Sequence, residues 1–409
     1  MGKHVLNYIS QICLWLGFLI PFFTSHYVGM PMSRMPLVST ATIVLWAAGL
    51  VIRYYSYLEE KKVTPKTPLW LRLSGYLTSI PATFVLLGIL FGLVYYPTVE
   101  RTVAKSVNFL MIATLFVMGV QITPQDWKGI LQRPKAVSVA VAIRWIGMPL
   151  IAWILGNVVL LRYFPQPIAT TLAIGLVLLG TTPTGVGSNT LTLISRGDLA
   201  LSVSVTTVNT VIAPFLQPVM IKALVGKATH VDAYGIFLDL IEVVLVPVIL
   251  GSIVGSFWPD RIRQLKPALV AGSVLCLTFV IMGTTSRGTA NLLRNLWILP
   301  VLVGVCMVQA IAGLSLGYYL PKVFGMNHKQ RVASCFEVGI ENGSLTMVLA
   351  VNHFNPLAAV PSVVYAKLMN FMAITFFVRK FQQLNDEEAG VAVTAQPQLA
   401  SAKAPAAHD

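Results

Sequence analysis

The chain has 409 residues, 56% of them hydrophobic and only 11% charged, with a mean hydropathy of +0.75. Soluble domains carry about 25% charged residues, so this composition excludes a soluble globular protein and indicates a polytopic membrane protein. The net charge of +14 does not mark a nucleic-acid partner, because the basic residues sit in short loops between apolar stretches, as membrane topology requires.

A membrane-crossing helix needs about 20 mostly apolar residues. Twelve stretches qualify, at about 6–28, 37–57, 76–96, 104–121, 136–157, 168–196, 199–223, 234–256, 267–286, 295–320, 330–354 and 357–379. The first lacks a small-residue cleavage site and reads as a retained helix rather than a signal peptide. Residues 1–75 hold two leading helices and a linker, whose Glu59-Glu-Lys-Lys62 run and two prolines, Pro65 and Pro68, separate them from a ten-helix body. The tail 381–409 turns to Asn-Asp-Glu-Glu and then Ala, Gln and Pro, and reads as a disordered cytoplasmic segment. With the N-terminus inside, 18 lysines and arginines fall in cytoplasmic segments against 8 in outer loops. The bias predicts both termini in the cytoplasm. Cys13, Cys276, Cys306 and Cys335 lie in or beside apolar runs without metal-ligand spacing and read as small buried hydrophobes.

Two of the body stretches are interrupted. Pro183, Gly185, Gly187, Ser188 and Asn189 fall within seven residues of the stretch 168–196, and Glu337-Val-Gly-Ile-Glu-Asn-Gly-Ser-Leu345 breaks the stretch 330–354. Proline removes a donor and glycine weakens a helix. Broken backbone at membrane depth survives only where protein or a wet cavity satisfies it. Such breaks can be packing kinks, but a pair in corresponding positions points to a transporter's binding site. The body divides at about 76–225 and 226–380, five helices each, with the fourth broken in both halves. An odd number of crossings per half makes an inverted repeat, with both breaks near the midplane. Glu337 is an intramembrane carboxylate, a functional-site signal in its own right. Ser202 and Thr206, four apart, share a helix face; either alone can equally serve as helix–helix glue.

The segments Pro183 to Asn189, Arg196-Gly197-Asp198 to Thr206, Glu337 to Asn342 with His353-Phe354, and Arg133-Pro134-Lys135-Ala136-Val137 together resemble the bile acid:sodium symporter family over roughly residues 76–380. The resemblance implies an all-α, ten-helix 5+5 core/panel fold with two crossed discontinuous helices, here preceded by two extra N-terminal helices. It implies sodium-coupled import of a small organic anion, bile-acid-like, pantoate-like or a small carboxylate; the expected location of the chain is a bacterial inner (plasma) membrane. It implies a first sodium site at Ser188, Asn189, Ser202, Thr206 and Glu337, all of which carry side-chain oxygens suited to a hard cation. The family's second sodium site uses a glutamine on the third body helix and another before the crossover asparagine. Those positions are Arg144 and Glu341 here, opposite in charge. Arg144 is expected to sit where the second ion would, forked onto Glu341, leaving one sodium at most. The alternative has Arg144 snorkelling to the cytoplasmic surface, which frees Glu341 to titrate and favours proton coupling. Asn342, Asn370 and Thr182 match substrate-side positions, and Lys367, new against the family pattern, is a candidate counter-ion for an anion or a partner for Glu337 or Glu341.

Asp239 and Glu242, three apart, can line the cavity mouth or form a solvated interfacial face. Arg196-Gly-Asp198 reads as a turn ending one helix and starting the next. Trp127, Tyr163, Trp258, Tyr318 and Tyr319 read as interfacial belt residues. Competing classes lack their motifs: there is no His-Glu-x-x-His, no Walker sequence and no Gly-x-Gly-Asp setting around Asp198 or Asp239. A channel or sensor on the same fold stays open, as does the oligomeric state.

Overall fold

A computed structural model describes residues 68–79 and 95–384, apart from 186, 228, 295 and 379, with scattered residues between 44 and 92. The expected span 6–28, most of 37–57 and of 76–96, and the tail beyond 384 lie outside the described residues. The described chain is helical: α1 Leu69–Ser79, α2 Tyr96–Thr102, α3 Val107–Val120, α4 Pro124–Gln132, α5 Pro134–Ile154 continued by a wide π turn Leu155–Leu160 to Tyr163, α6 Ile168–Gly180, α7 Gly187–Ile194, α8 Leu199–Val225, α9 Ala233–Leu240 running through a second π turn to Phe257, α10 Pro259–Arg294, α11 Leu299–Tyr319, α12 His328–Gly339, α13 Gly343–His353 and α14 Val360–Met372. Among the described residues five continuous helices are long and apolar enough to cross a membrane: Pro134–Tyr163, Leu199–Val225, Ala233–Phe257, Pro259–Arg287 and Leu299–Phe324. Exposed Ile146, Val158, Val219, Ile249 and Ile253 give these helices an apolar outer surface suited to lipid.

Two segments expected as loops are helical. Pro124–Gln132 forms the short α4, and Pro259 opens α10 through the basic residues Arg261, Arg263 and Lys266. Hydropathy detects the apolar part of a helix and misses polar turns outside the membrane, while proline at the first position favours helix initiation. Side chains cap several starts. Asp198 accepts from the amide of Leu201 at 3.1 Å, which begins α8 directly after Arg196 in the left-handed region (φ 55°). Asp198 also pairs with Arg133, so the Arg-Gly-Asp turn does end one helix and start the next. Asn327 and Gln330 form a reciprocal capping box on α12.

The helices pack in two sets. Helix α3 lies against α9 and α10, and α10 also against α1 and α2. Gly251 and Gly255 of α9, four apart, face the backbone of α3 at Phe116 and Val120 so closely that a Cβ would collide, the small-residue packing that brings membrane helices together. In the second set α11 packs on α12, α14 and α5, and α12 also on α5, α7 and α8. Its core includes Leu172, Leu176, Cys306, Phe336 and Tyr365. Cys276, Cys306 and Cys335 are free thiols. Tyr318, unlike the exposed Trp127, Tyr163, Trp258 and Tyr319, is buried; the guanidinium of Arg331 lies 4.1 Å from its ring centre, so it is a packing residue rather than part of an interfacial belt.

Candidate functional site

Both interruptions are present, and they meet. Helix α6 stops at Gly180 and α7 starts at Gly187; α12 stops at Gly339 and α13 starts at Gly343. Between them the chain extends and pairs antiparallel at Thr184 and Glu341. The amide of Gly185 donates to Ile340 O at 3.0 Å, and that of Asn342 to Pro183 O at 3.0 Å. These bonds satisfy backbone groups that the broken helices would otherwise leave stranded. A Cβ on Gly185 would lie 2.7 Å from Glu341 O, so the crossing demands glycine there.

Glu337, in the last turn of α12, is fully buried (0% exposed). Its carboxylate accepts from Ser188 Oγ at 2.7 Å, Ser202 Oγ at 2.6 Å and Thr206 Oγ1 at 2.9 Å. Ser202 also lies 2.8 Å from Asn189 Oδ1. All five residues expected at the first sodium site therefore converge, Ser188 and Asn189 from α7, Ser202 and Thr206 from α8, Glu337 from α12. The single Ser202 proton is offered two acceptors, and every donor here is a hydroxyl that can rotate. A hard cation bound among these oxygens would take their lone pairs while the carboxylate balances its charge, so the set fits sodium.

Arg144, from the middle of α5, does not snorkel: it is 1% exposed. Its Nη1 donates to Val338 O at 2.8 Å and reaches Glu341 Oε1 at 3.3 Å, while Nη2 donates to Thr182 O. The expected pairing with Glu341 is present, but as one contact rather than a bidentate fork. The guanidinium spends its donors on two backbone carbonyls near the C-terminal ends of α6 and α12. Those ends leave carbonyls unpaired and carry partial negative charge, which a cation complements. One side chain thus clamps both broken helices. Gln309 Nε2 adds a contact to Glu341 Oε1 at 3.4 Å.

The substrate candidates are less gathered. Thr182 is buried, its hydroxyl engaged with Leu178 O at 2.7 Å, Thr346 Oγ1 at 2.7 Å and Gln217 Nε2 at 3.3 Å. Asn342, half-buried, caps α13 by accepting from Leu345 N at 3.2 Å. Lys367 and Asn370 lie on α14, with their side chains outside the described set. Asp239 sits at neither carboxylate; it meets His353 Nε2 at 2.8 Å, joining α9 to the end of α13.

Several site residues had no sequence signal. Trp145 Nε1 donates to Asn209 Oδ1 at 2.9 Å, Asn209 Nδ2 to Thr184 Oγ1 at 2.8 Å, and Thr184 Oγ1 to Glu337 O at 2.9 Å. This chain ties α5 and α8 to both breaks. Asn209 falls three residues after Thr206, on the same helix face, a spacing too common in helices to single it out.

Residues 108–295 match the sodium bile acid symporter family. A Bacillus subtilis (strain 168) protein named as an uncharacterized sodium-dependent transporter is 28% identical over 291 residues, 70% of this chain and 88% of the relative. A "probable sodium/metabolite cotransporter" of the Arabidopsis thaliana chloroplast is 30% identical over 285 residues, 69% of this chain and 68% of the relative. The ileal sodium/bile acid cotransporter of Oryctolagus cuniculus is 27% identical over 255 residues, 61% of this chain and 70% of the relative.

Proposed function

The chain belongs to the sodium bile acid symporter family, an integral membrane family of sodium-dependent transporters, and from that premise we propose that it imports a small organic anion with one sodium ion by alternating access. The observation that carries this is the convergence of Ser188, Ser202 and Thr206 on the buried carboxylate of Glu337. Sodium bound there links α7 and α8 to α12, so the ion is held only when both broken segments are in register. The N-termini of α7 and α13 lie at the two breaks, and helix N-termini favour a carboxylate. The anion binds beside them, with Asn342, Thr182, Lys367 and Asn370 as the substrate-side residues.

Arg144 takes the ground of a second ion. It is a cation tethered to the protein, so it cannot be released to either side and adds nothing to coupling. The wider architecture follows the same reading: inverted repeats at 76–225 and 226–380, the two packed helix sets acting as panel and core, and both termini on the cytoplasmic face of a bacterial inner membrane. Movement of one set against the other exposes the breaks to alternate sides.

The test is uptake into proteoliposomes of labelled taurocholate, pantoate and pyruvate, with and without an inward sodium gradient. A transporter concentrates at least one of them above its outside level only with the gradient, and Glu337→Gln abolishes this. Equilibration without accumulation would indicate a channel and overturn the reading.

A further inference from the structure

Glu341 sits in a cluster that is short of hydrogen-bond donors. Among the described residues Glu341 Oε2, Gln309 Oε1 and Gln217 Oε1 are buried acceptors without a partner. The nearby donors are committed: the hydroxyl of Thr182 reaches Leu178 O, that of Thr346 reaches Asn342 O at 3.1 Å, and that of Tyr365 donates to Gly339 O at 3.0 Å. Leaving a buried acceptor unmet forfeits its hydration without a replacement bond and is unfavourable. Arg144 does not resolve this, since its bond to Val338 O is shorter than its reach to Glu341, and it touches Oε1 rather than Oε2.

We propose that Glu341 is a proton-binding site, taking up one proton as a second coupling ion beside the sodium at Glu337. The proposal rests on the transporter reading above. The carboxylate accepts one proton and becomes a carboxylic acid; no other bond forms or breaks. Gln309 serves both states. Its Nε2 faces the ionised Glu341, and rotation of the amide presents Oε1 to the acid's O–H instead. The guanidinium of Arg144 stays compensated in both, because the α6 and α12 carbonyls hold it independently of Glu341. Charge follows the same logic. Arg144 with ionised Glu341 is neutral, and one proton takes the pair to a single positive charge, the change one sodium ion brings to a neutral oxygen site. Among the described residues the other titratable groups against Glu341 are Cys306 from α11 and Tyr365 from α14, with Glu337 one turn back on its own segment; Lys367 also lies on α14, with its side chain outside the described set.

The test is infrared difference spectroscopy of the full chain in lipid, titrated with acid at saturating sodium and without substrate. We expect a carboxylic-acid carbonyl band that grows on acidification, persists in Glu337→Gln and disappears in Glu341→Gln. The double variant Arg144→Gln/Glu341→Gln, which strands no charge, also lacks it. A band unchanged in both Glu341 variants, or no such band in the wild type, would mean that Glu341 stays ionised and would overturn the proposal. In proteoliposomes, the anion that sodium drives should bring internal acidification, lost in both Glu341 variants. Failure of the transport reading shows separately, as absence of any sodium-driven uptake.

Discussion

Two buried glutamates, Glu337 and Glu341, stand four residues apart on one broken segment, and their neighbours differ completely. Glu337 is met by three hydroxyls from two other helices. Glu341 is met by a guanidinium and an amide, and one of its oxygens has no partner among the described residues. Hydroxyls are neutral and can turn, so the first carboxylate keeps its charge available for an ion that comes and goes. Arginine is always protonated and covalently fixed, so the second carboxylate faces a cation that cannot leave. The same side chain on the same segment thus faces an exchangeable cation in one place and a fixed cation in the other.

The sharpest way to break this contrast is to remove the exchangeable side. Glu337→Gln keeps shape and loses charge, and sodium-driven uptake should fall by about 100-fold or more, roughly 3 kcal/mol at about 1.4 kcal/mol per tenfold. Next comes the permanent side. Arg144→Gln strands Glu341 and should destabilise the protein by about 3–5 kcal/mol, read as a lowered unfolding midpoint in lipid or detergent. Adding Glu341→Gln should recover most of that loss, because the double variant leaves no buried charge unpaired. Smaller effects belong to the hydroxyls. Ser202→Ala and Thr206→Val each remove one bond to a charged group, worth about 1.5–3 kcal/mol, and should raise the half-saturating sodium concentration by about tenfold or more while leaving the folded yield near wild type. The smallest change is expected at the supporting chain: Trp145→Phe deletes one neutral bond to Asn209 and should lower stability by about 1 kcal/mol, with only a slight shift in sodium dependence.

The sequence made the two breaks legible because proline, glycine and asparagine interrupt otherwise apolar runs, and it made Glu337 legible because a carboxylate within a span needs a reason. The opposite signs of Arg144 and Glu341 disclosed their pairing. The fork did not follow, because the pull of the helix-end carbonyls on Arg144 depends on where α6 and α12 terminate in space. Thr184, Asn209, Gln217 and Gln309 stayed hidden for a related reason. A single Thr, Asn or Gln in an apolar helix has no spacing signature, and its role is set by a partner 25 to 153 residues away, as for Asn209 with Thr184 and Thr184 with Glu337. The polar turns of α4 and α10 were missed because hydropathy reports lipid-compatible length rather than helix length.

The most direct test of the central claim is the sodium dependence of initial uptake in proteoliposomes, combined with the ratio of labelled sodium to labelled anion entering. With Arg144 fixed at the second position, the Hill coefficient should be about one and the ratio about one sodium per anion. A Hill coefficient near two with two sodium ions entering per anion would contradict the account.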